Sequence, residues 1–180
     1  MDIVFAGFGG QGVLTSGLIV AHAAKSAGKE VLWMPAYGGQ MRGGKSYSLV
    51  KFDDKPVCHP DIEELDALVA MNRPALEGFA RYVKPGGLIL INSDTVGGEV
   101  AFGMDGVRII RAPFASMARR VNNPRGANIA ALGLLLRETD MFPSDHFRES
   151  LLAYFREKGK DAYAEVNAAA LDAGYNYPAV

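Results

Sequence analysis

Cysteine is almost absent: Cys58 is the only one in the 180 residues. One thiol cannot close an intrachain disulfide. Nor can it supply the thiolates of a four-cysteine iron–sulfur cluster or a cysteine-rich zinc site. Histidine is scarce too. His22, His59 and His146 show no mutual spacing for metal binding or catalysis. Long apolar runs are missing; a run such as Ala130 to Leu136 is far short of the ~20 residues that span a bilayer. The N-terminus lacks the basic and apolar regions of a signal peptide, so a cytoplasmic chain without membrane attachment is expected. An excess of one charge is missing as well. Nineteen Lys and Arg face 20 Asp and Glu, for a net charge of −1. With no Lys/Arg run interleaved with aromatics, no nucleic-acid partner is expected.

What remains is an ordinary globular composition, 49% hydrophobic and 22% charged, long enough for one domain over 1–180 with a full core. Ile3–Ala6 predicts a buried parallel strand and Val13–Ala27 a helix closed by Gly28. Glu30–Met34 predicts a second strand. Ser46–Phe52 alternates as a half-exposed antiparallel strand does, and Asp53–Pro56 predicts a turn into a return strand at Val57-Cys58. Further strands are predicted at Leu65–Met71, Leu88–Asn92 and Val107–Arg111, with a short helix at Pro74–Tyr82 and a turn at Lys84–Gly87. The last third is helical, at Ala127–Thr139, from Ser144 or Asp145 as cap through Phe155, and at Asp161–Ala173 ending on Gly174. The fold class is therefore α/β: a mostly parallel, Rossmann-like doubly wound sheet with an inserted β-hairpin and a helical C-terminal third.

Two glycine segments carry the chemistry. Gly7, Gly9 and Gly12 fit G-x-G-x-x-G between a strand and a helix, with Gly10 extra. That arrangement aims backbone N–H groups and a helix N-terminus at a phosphate. Binding of NAD also needs an acid at the end of the second strand, and Leu32-Trp33-Met34-Pro35 offers none. The other reading is a tight turn without a ligand, against which the Gln11 amide speaks. The second segment, Tyr37 to Gly44, sets Gln40, Met41 and Arg42 among four glycines. Arg42 supplies a forked donor for phosphate or carboxylate. Both segments leave carboxyl ends of strands, where ligands gather in open α/β sheets. Asn72 and Asn92 end strands at the same edge, where capping or turn formation also explains them. In Asn122–Asn128, Arg125 or Asn128 can face a partner or serve as a helix cap. Cys58 is expected as a small buried hydrophobe.

Gly7–Val13, Trp33–Tyr37 and Met41–Gly44 resemble the gamma subunit of 2-oxoacid:ferredoxin oxidoreductases that act on pyruvate, 2-oxoglutarate or ketoisovalerate. Val69–Asn72, Lys84–Gly87 with its strand to Asn92, and the helix ending at Ala173-Gly174-Tyr175 are similar to that family too. Where family members often read Tyr-Gly-Pro-Glu, this chain has Tyr37-Gly38-Gly39-Gln40, so the loop does not identify the substrate acid. The resemblance implies oxidative decarboxylation of a 2-oxoacid to acyl-CoA with reduction of ferredoxin. It also implies alpha, beta and ferredoxin-type partner subunits that hold thiamine diphosphate, magnesium and iron–sulfur clusters. This chain's share is then assembly and part of a coenzyme A site. The cofactor-binding candidates are Gly7, Gly9, Gly10, Gln11, Gly12, Tyr37, Met41, Arg42, Gly43, Gly44 and Asn72; no catalytic or metal residue is assigned. Three alternatives stay open: the corresponding subunit of an indolepyruvate:ferredoxin oxidoreductase, a free-standing nucleotide-dependent oxidoreductase, and a structural subunit whose loops serve only as interface.

Overall fold

The apolar run after Asp2 forms β1 (Asp2–Phe8), buried from Ile3 to Gly7's neighbour Ala6 and released into a glycine turn. Helix α1 (Val13–Ser26) follows. Its end is a Schellman closure: the Gly28 N–H donates to the Lys25 carbonyl and the Lys29 N–H to the Ala24 carbonyl, each at 3.0 Å. The chain then runs through β2 (Glu30–Tyr37), β3 (Lys45–Asp53), β4 (Leu65–Ala70), α2 (Arg73–Phe79), β5 (Val83–Asn92) and β6 (Arg108–Ala112). Helices α3 (Phe114–Arg120), α4 (Ala127–Thr139), α5 (Ser144–Glu157) and α6 (Ala164–Tyr175) complete it. This is a computed structural model, and it describes residues 1–37, 45–98 and 105–178.

The six strands form one sheet in the order β2-β3-β1-β4-β5-β6. Strand β3 is antiparallel to both neighbours, β1 and β2, while β1, β4, β5 and β6 pair in parallel. Every strand except β3 therefore points the same way, as the α/β expectation required. The hairpin differs in detail. It consists of β2 and β3 themselves, and β3 lies between β1 and β2. With both edges of β3 taken, a return strand at Val57-Cys58 has no place beside it. Pro56 and Pro60 on either side also lack the N–H a strand needs. Residues 54–64 carry no helix or strand, and Cys58 is exposed, not buried.

Alternation places Ile3, Phe5, Val50, Phe52, Val69 and Leu90 on one sheet face, under α1, α3, α4, α5 and α6. Val4, Ala6, Leu49, Leu68, Ile89 and Ile91 lie on the other face, covered by α2 and the 3-10 turn that follows it. Helices occupy both faces, very unevenly. Helix α4 is buried on every side from Asn128 to Leu136, as a helix between two layers must be. Helix α3 carried no strong periodic signal. Two predicted helix ends also move. Pro143 precedes α5, with no side-chain cap from Ser144 or Asp145. Helix α6 runs through Gly174 to Tyr175 because Gly174 packs directly on Ala130 of α4.

Candidate functional site: the carboxyl edge of the sheet

The carboxyl ends of β1, β2, β4, β5 and β6 share one edge with the amino end of β3. Across it, Phe8 pairs with Lys45, Gly7 with Ser46, and Ser46 with Tyr37. The start of the Gly7–Gly12 turn and the residues that flank 38–44, Tyr37 and Lys45, are thus anchored on neighbouring ladder rungs. Tyr37 stands 73% exposed at the tip of β2, which suits contact with something outside this chain. Gly38, Gly39, Gln40, Met41, Arg42, Gly43 and Gly44 lie outside the described residues.

The glycine turn is held by side chains. Gln11 folds back over Gly7. Its Oε1 accepts from the Phe8 N–H at 2.7 Å and from Asn72 Nδ2 at 2.8 Å, and its Nε2 donates to the Met71 carbonyl at 3.0 Å. Two donors on one side and a carbonyl on the other fix the orientation of this amide. Asn72, buried, also accepts from the Ala75 N–H at 2.9 Å and so caps α2. The Gln11 and Asn72 side chains therefore meet each other, and the capping explanation of Asn72 holds in the structure. Thr95 Oγ1, after β5, donates to the same Met71 carbonyl at 2.8 Å; a threonine in a polar turn gives no sequence signal for that role. Asn128 at the start of α4 is buried, and its Nδ2 donates to the Gly12 carbonyl at 3.2 Å. It therefore faces inward, and Arg125 alone of that pair is exposed.

These clamps account for two of the glycines. A Cβ on Gly7 would lie 2.6 Å from Gln11 Oε1, and one on Gly12 would lie 2.6 Å from the Asn128 side chain. Gly12 also sits at φ +73° as the N-cap of α1, where no side chain caps the helix. Gly9 lies in the turn, and Gly10 is exposed with open space where a Cβ would stand. The Gln11 N–H is engaged, donating to the Phe8 carbonyl at 3.1 Å, so the edge presents the backbone N–H groups of Gly9, Gly10 and Gly12. Asn92 is buried, and its Oδ1 accepts the Asp94 N–H at 3.4 Å in the next turn. Burial pushes the Asp94 carboxyl up, but the hydroxyl and N–H of Ser116 reverse this and hold it below its ordinary value. A cavity of about 180 Å³ beside the edge is lined by Gly7, Ser46, Tyr47, Asn72 and Phe79. The larger space, about 640 Å³ between α5 and α6, mixes Arg148 and Arg156 with Asp161, Glu165 and Asp172; it lies away from the glycine turn and offers no preference for an anion.

Residues 2–177 match the pyruvate ferredoxin/flavodoxin oxidoreductase family. The chain belongs to that family. Among its relatives, the ketoisovalerate oxidoreductase subunit VorA of Methanothermobacter thermautotrophicus is 38% identical over 96% of this chain and 35% of its own length. The chain thus spans about a third of that relative. The gamma subunit of a keto/oxoacid ferredoxin oxidoreductase from Geobacter sulfurreducens superposes with a TM-score of 0.79 at 29% identity, over 97% of this chain and 95% of that one. A 2-oxoglutarate:ferredoxin oxidoreductase from Magnetococcus marinus, solved with 2-oxoglutarate, coenzyme A and succinyl-CoA, superposes with a TM-score of 0.83 at 27% identity. The match covers 97% of this chain and 30% of that one.

Within this pyruvate ferredoxin/flavodoxin oxidoreductase domain, the donor set does not fit an iron–sulfur cluster: the sequence holds one cysteine, and it is exposed. Among the described residues no three of His, Cys, Asp and Glu gather where a metal could sit, and no helix is long and apolar enough to cross a membrane.

Proposed function

We propose that this chain is the gamma component of a 2-oxoacid:ferredoxin oxidoreductase that forms acyl-CoA, and that its two glycine segments hold part of coenzyme A. In this reading thiamine diphosphate, magnesium and the iron–sulfur clusters belong to alpha, beta and ferredoxin-type partners, and ferredoxin takes the electrons. Coenzyme A contributes the thiol that accepts the acyl group; this chain's residues bind and orient it. The observation that carries the reading is the ladder Tyr37–Ser46–Gly7 with Phe8–Lys45. It brings the N–H groups of Gly9, Gly10 and Gly12 to one edge with Tyr37 and Lys45, the residues that flank the Arg42 segment; N–H groups and a guanidinium are the donors a diphosphate would use.

The test uses the assembled complex, assayed across pyruvate, 2-oxoglutarate, ketoisovalerate and indolepyruvate with coenzyme A and ferredoxin. The activity should require the partners, and Arg42→Ala should raise the coenzyme A KM about tenfold, the loss of one charge-assisted contact. An Arg42→Ala complex with unchanged KM and turnover overturns the coenzyme A assignment. Oxidation of a 2-oxoacid by the isolated chain overturns the subunit assignment. The indolepyruvate arm distinguishes the rival subfamily.

The free-standing nucleotide enzyme is disfavoured by a specific feature. In the Rossmann order the second strand neighbours the first and its terminal acid reaches the ribose. Here β3 separates them, so β2 stands about 10 Å from β1 at ordinary strand spacing, and it ends in Ala36-Tyr37 without an acid.

A further inference from the structure

Gln11 has the chemistry of a ligand contact and the bonding of a brace. Its amide joins the β1–α1 turn, through the Phe8 N–H, to the β4–α2 turn, through Met71 and Asn72. Met71's carbonyl accepts from both Gln11 Nε2 and Thr95 Oγ1, so the connection after β5 is tied to the same point. Asn72 carries the chain onward to the first turn of α2. Three consecutive carboxyl-edge connections therefore share one hydrogen-bonded unit centred on a single side chain. Gly7, which has no room for a Cβ under Gln11 Oε1, is part of the same fitting.

We infer that Gln11 is a positioning residue: it fixes the backbone of Gly9–Gly12 in the shape the ligand meets, without itself touching the ligand. The inference rests on the coenzyme A reading above. A turn rich in glycine is costly to order, and binding to an unordered turn is weakened by the fraction of time it spends elsewhere. The Gln11 bonds supply that order before the ligand arrives.

The experiment compares the complex carrying Gln11→Leu, Gln11→Glu and Arg42→Ala. Leucine keeps the bulk and removes every side-chain bond. Glutamate still accepts from Phe8 and Asn72 but cannot donate to Met71. Gln11→Leu should raise the coenzyme A KM about tenfold, equivalent to 1.4 kcal/mol, with kcat nearly kept, and Gln11→Glu should recover part of it. Amide exchange at Gly9–Gly12 in the unliganded complex should quicken in Gln11→Leu and not in Arg42→Ala. Should Gln11→Leu fail to assemble, Asn72→Asp keeps the α2 cap, removes the donor to Gln11, and should raise KM in the same direction. If Arg42→Ala weakens coenzyme A while both Gln11 variants leave KM unchanged, the positioning role is wrong and the site stands. If Arg42→Ala and the Gln11 variants all leave KM unchanged while turn exchange quickens, the site itself is wrong.

Discussion

The crossing of α4 and α6 is where a single methyl group should do most damage. A Cβ on Gly133 would lie 1.9 Å from the Leu171 carbonyl oxygen and 2.7 Å from the Tyr175 nitrogen; one on Gly174 would lie 1.8 Å from the Ala130 oxygen. Both obstacles are backbone, which cannot rotate aside as a side chain can. To reach ordinary contact the helices must part by about 1.5 Å in a close-packed interior. That shift disturbs Ala130, Ala170 and Leu171, all fully or nearly buried. Two effects oppose each other in Gly133→Ala. Helix propensity favours alanine by ~1 kcal/mol, while overpacking costs ~1–3 kcal/mol and more against rigid atoms. Packing wins, and the net loss should be about 2 kcal/mol, a fall in Tm of roughly 4–8 °C for a chain of this size. The double variant Gly133→Ala/Gly174→Ala should lose less than the sum, because the first substitution already parts the helices. Gly78→Ala in α2 is the control: no atom lies within 4 Å of its Cβ, so propensity alone acts and stability should hold or rise by up to ~1 kcal/mol. Thermal and urea unfolding of the three variants decide the matter. A Gly133→Ala protein with a midpoint at or above that of the parent would refute the close-crossing account.

Gly17→Ala should push α1 off β3, because its Cβ would stand 2.3 Å from Ser48 Oγ and 2.8 Å from Trp33 Nε1. The Ser48 bond to the Val13 carbonyl at 2.8 Å would be strained with it. A loss of ~1–3 kcal/mol in urea unfolding is expected, with a shift in the fluorescence of Trp33, the sole tryptophan; an unshifted spectrum at unchanged stability would count against it. Asp66 supplies a pH signature. Burial pushes its carboxyl up, but Lys84 Nζ and the Asp2 N–H, each at 2.6 Å, hold it below its ordinary value of 3.8. A carboxyl lowered in the folded state stabilises above the unfolded value and loses that share as pH falls through the folded one. The stability gap between the parent and Asp66→Asn should therefore be level near neutrality and narrow below pH 3.8; a gap unchanged at about pH 2 would contradict the linkage.

Periodicity made much of this fold legible. Ala127–Thr139 is the helix its spacing predicts, and the apolar runs at Ile3–Ala6, Leu65–Met71 and Leu88–Asn92 are buried strands. Pairing was less legible. The alternation of Ser46–Phe52 marks an antiparallel strand correctly, but nothing in it says that β3 inserts between β1 and β2, since that depends on contacts far apart in the chain. Gly174 shows the same limit: a glycine near a helix end reads as a cap, and only the approach of Ala130 reveals it as a packing position. At the edge, the glycine pattern located the turn. Its brace was not legible because Gln11, Asn72 and Thr95 are common turn and cap residues, brought together only by the parallel pairing of β1, β4 and β5.

The position of β3 decides what kind of site the glycine turn can serve. In a dinucleotide fold the turn works with an acid on the adjacent strand, and the two define one nucleotide corner. Here the adjacent strand is β3, which arrives at the edge with its amino end. Tyr37 and Lys45, which flank residues 38–44, therefore stand at the edge beside Phe8, where a dinucleotide fold has its ribose corner. The same inversion relieves the turn of specifying a ligand alone. Gly7 and Gly12 are explained by Gln11 and Asn128 without any ligand, so their presence carries no information about phosphate. What stands exposed at this edge is Gly10 and the ring of Tyr37. On the coenzyme A proposal, selectivity falls to the second segment, which is why Arg42 is the residue whose removal separates a coenzyme A site from a bare interface.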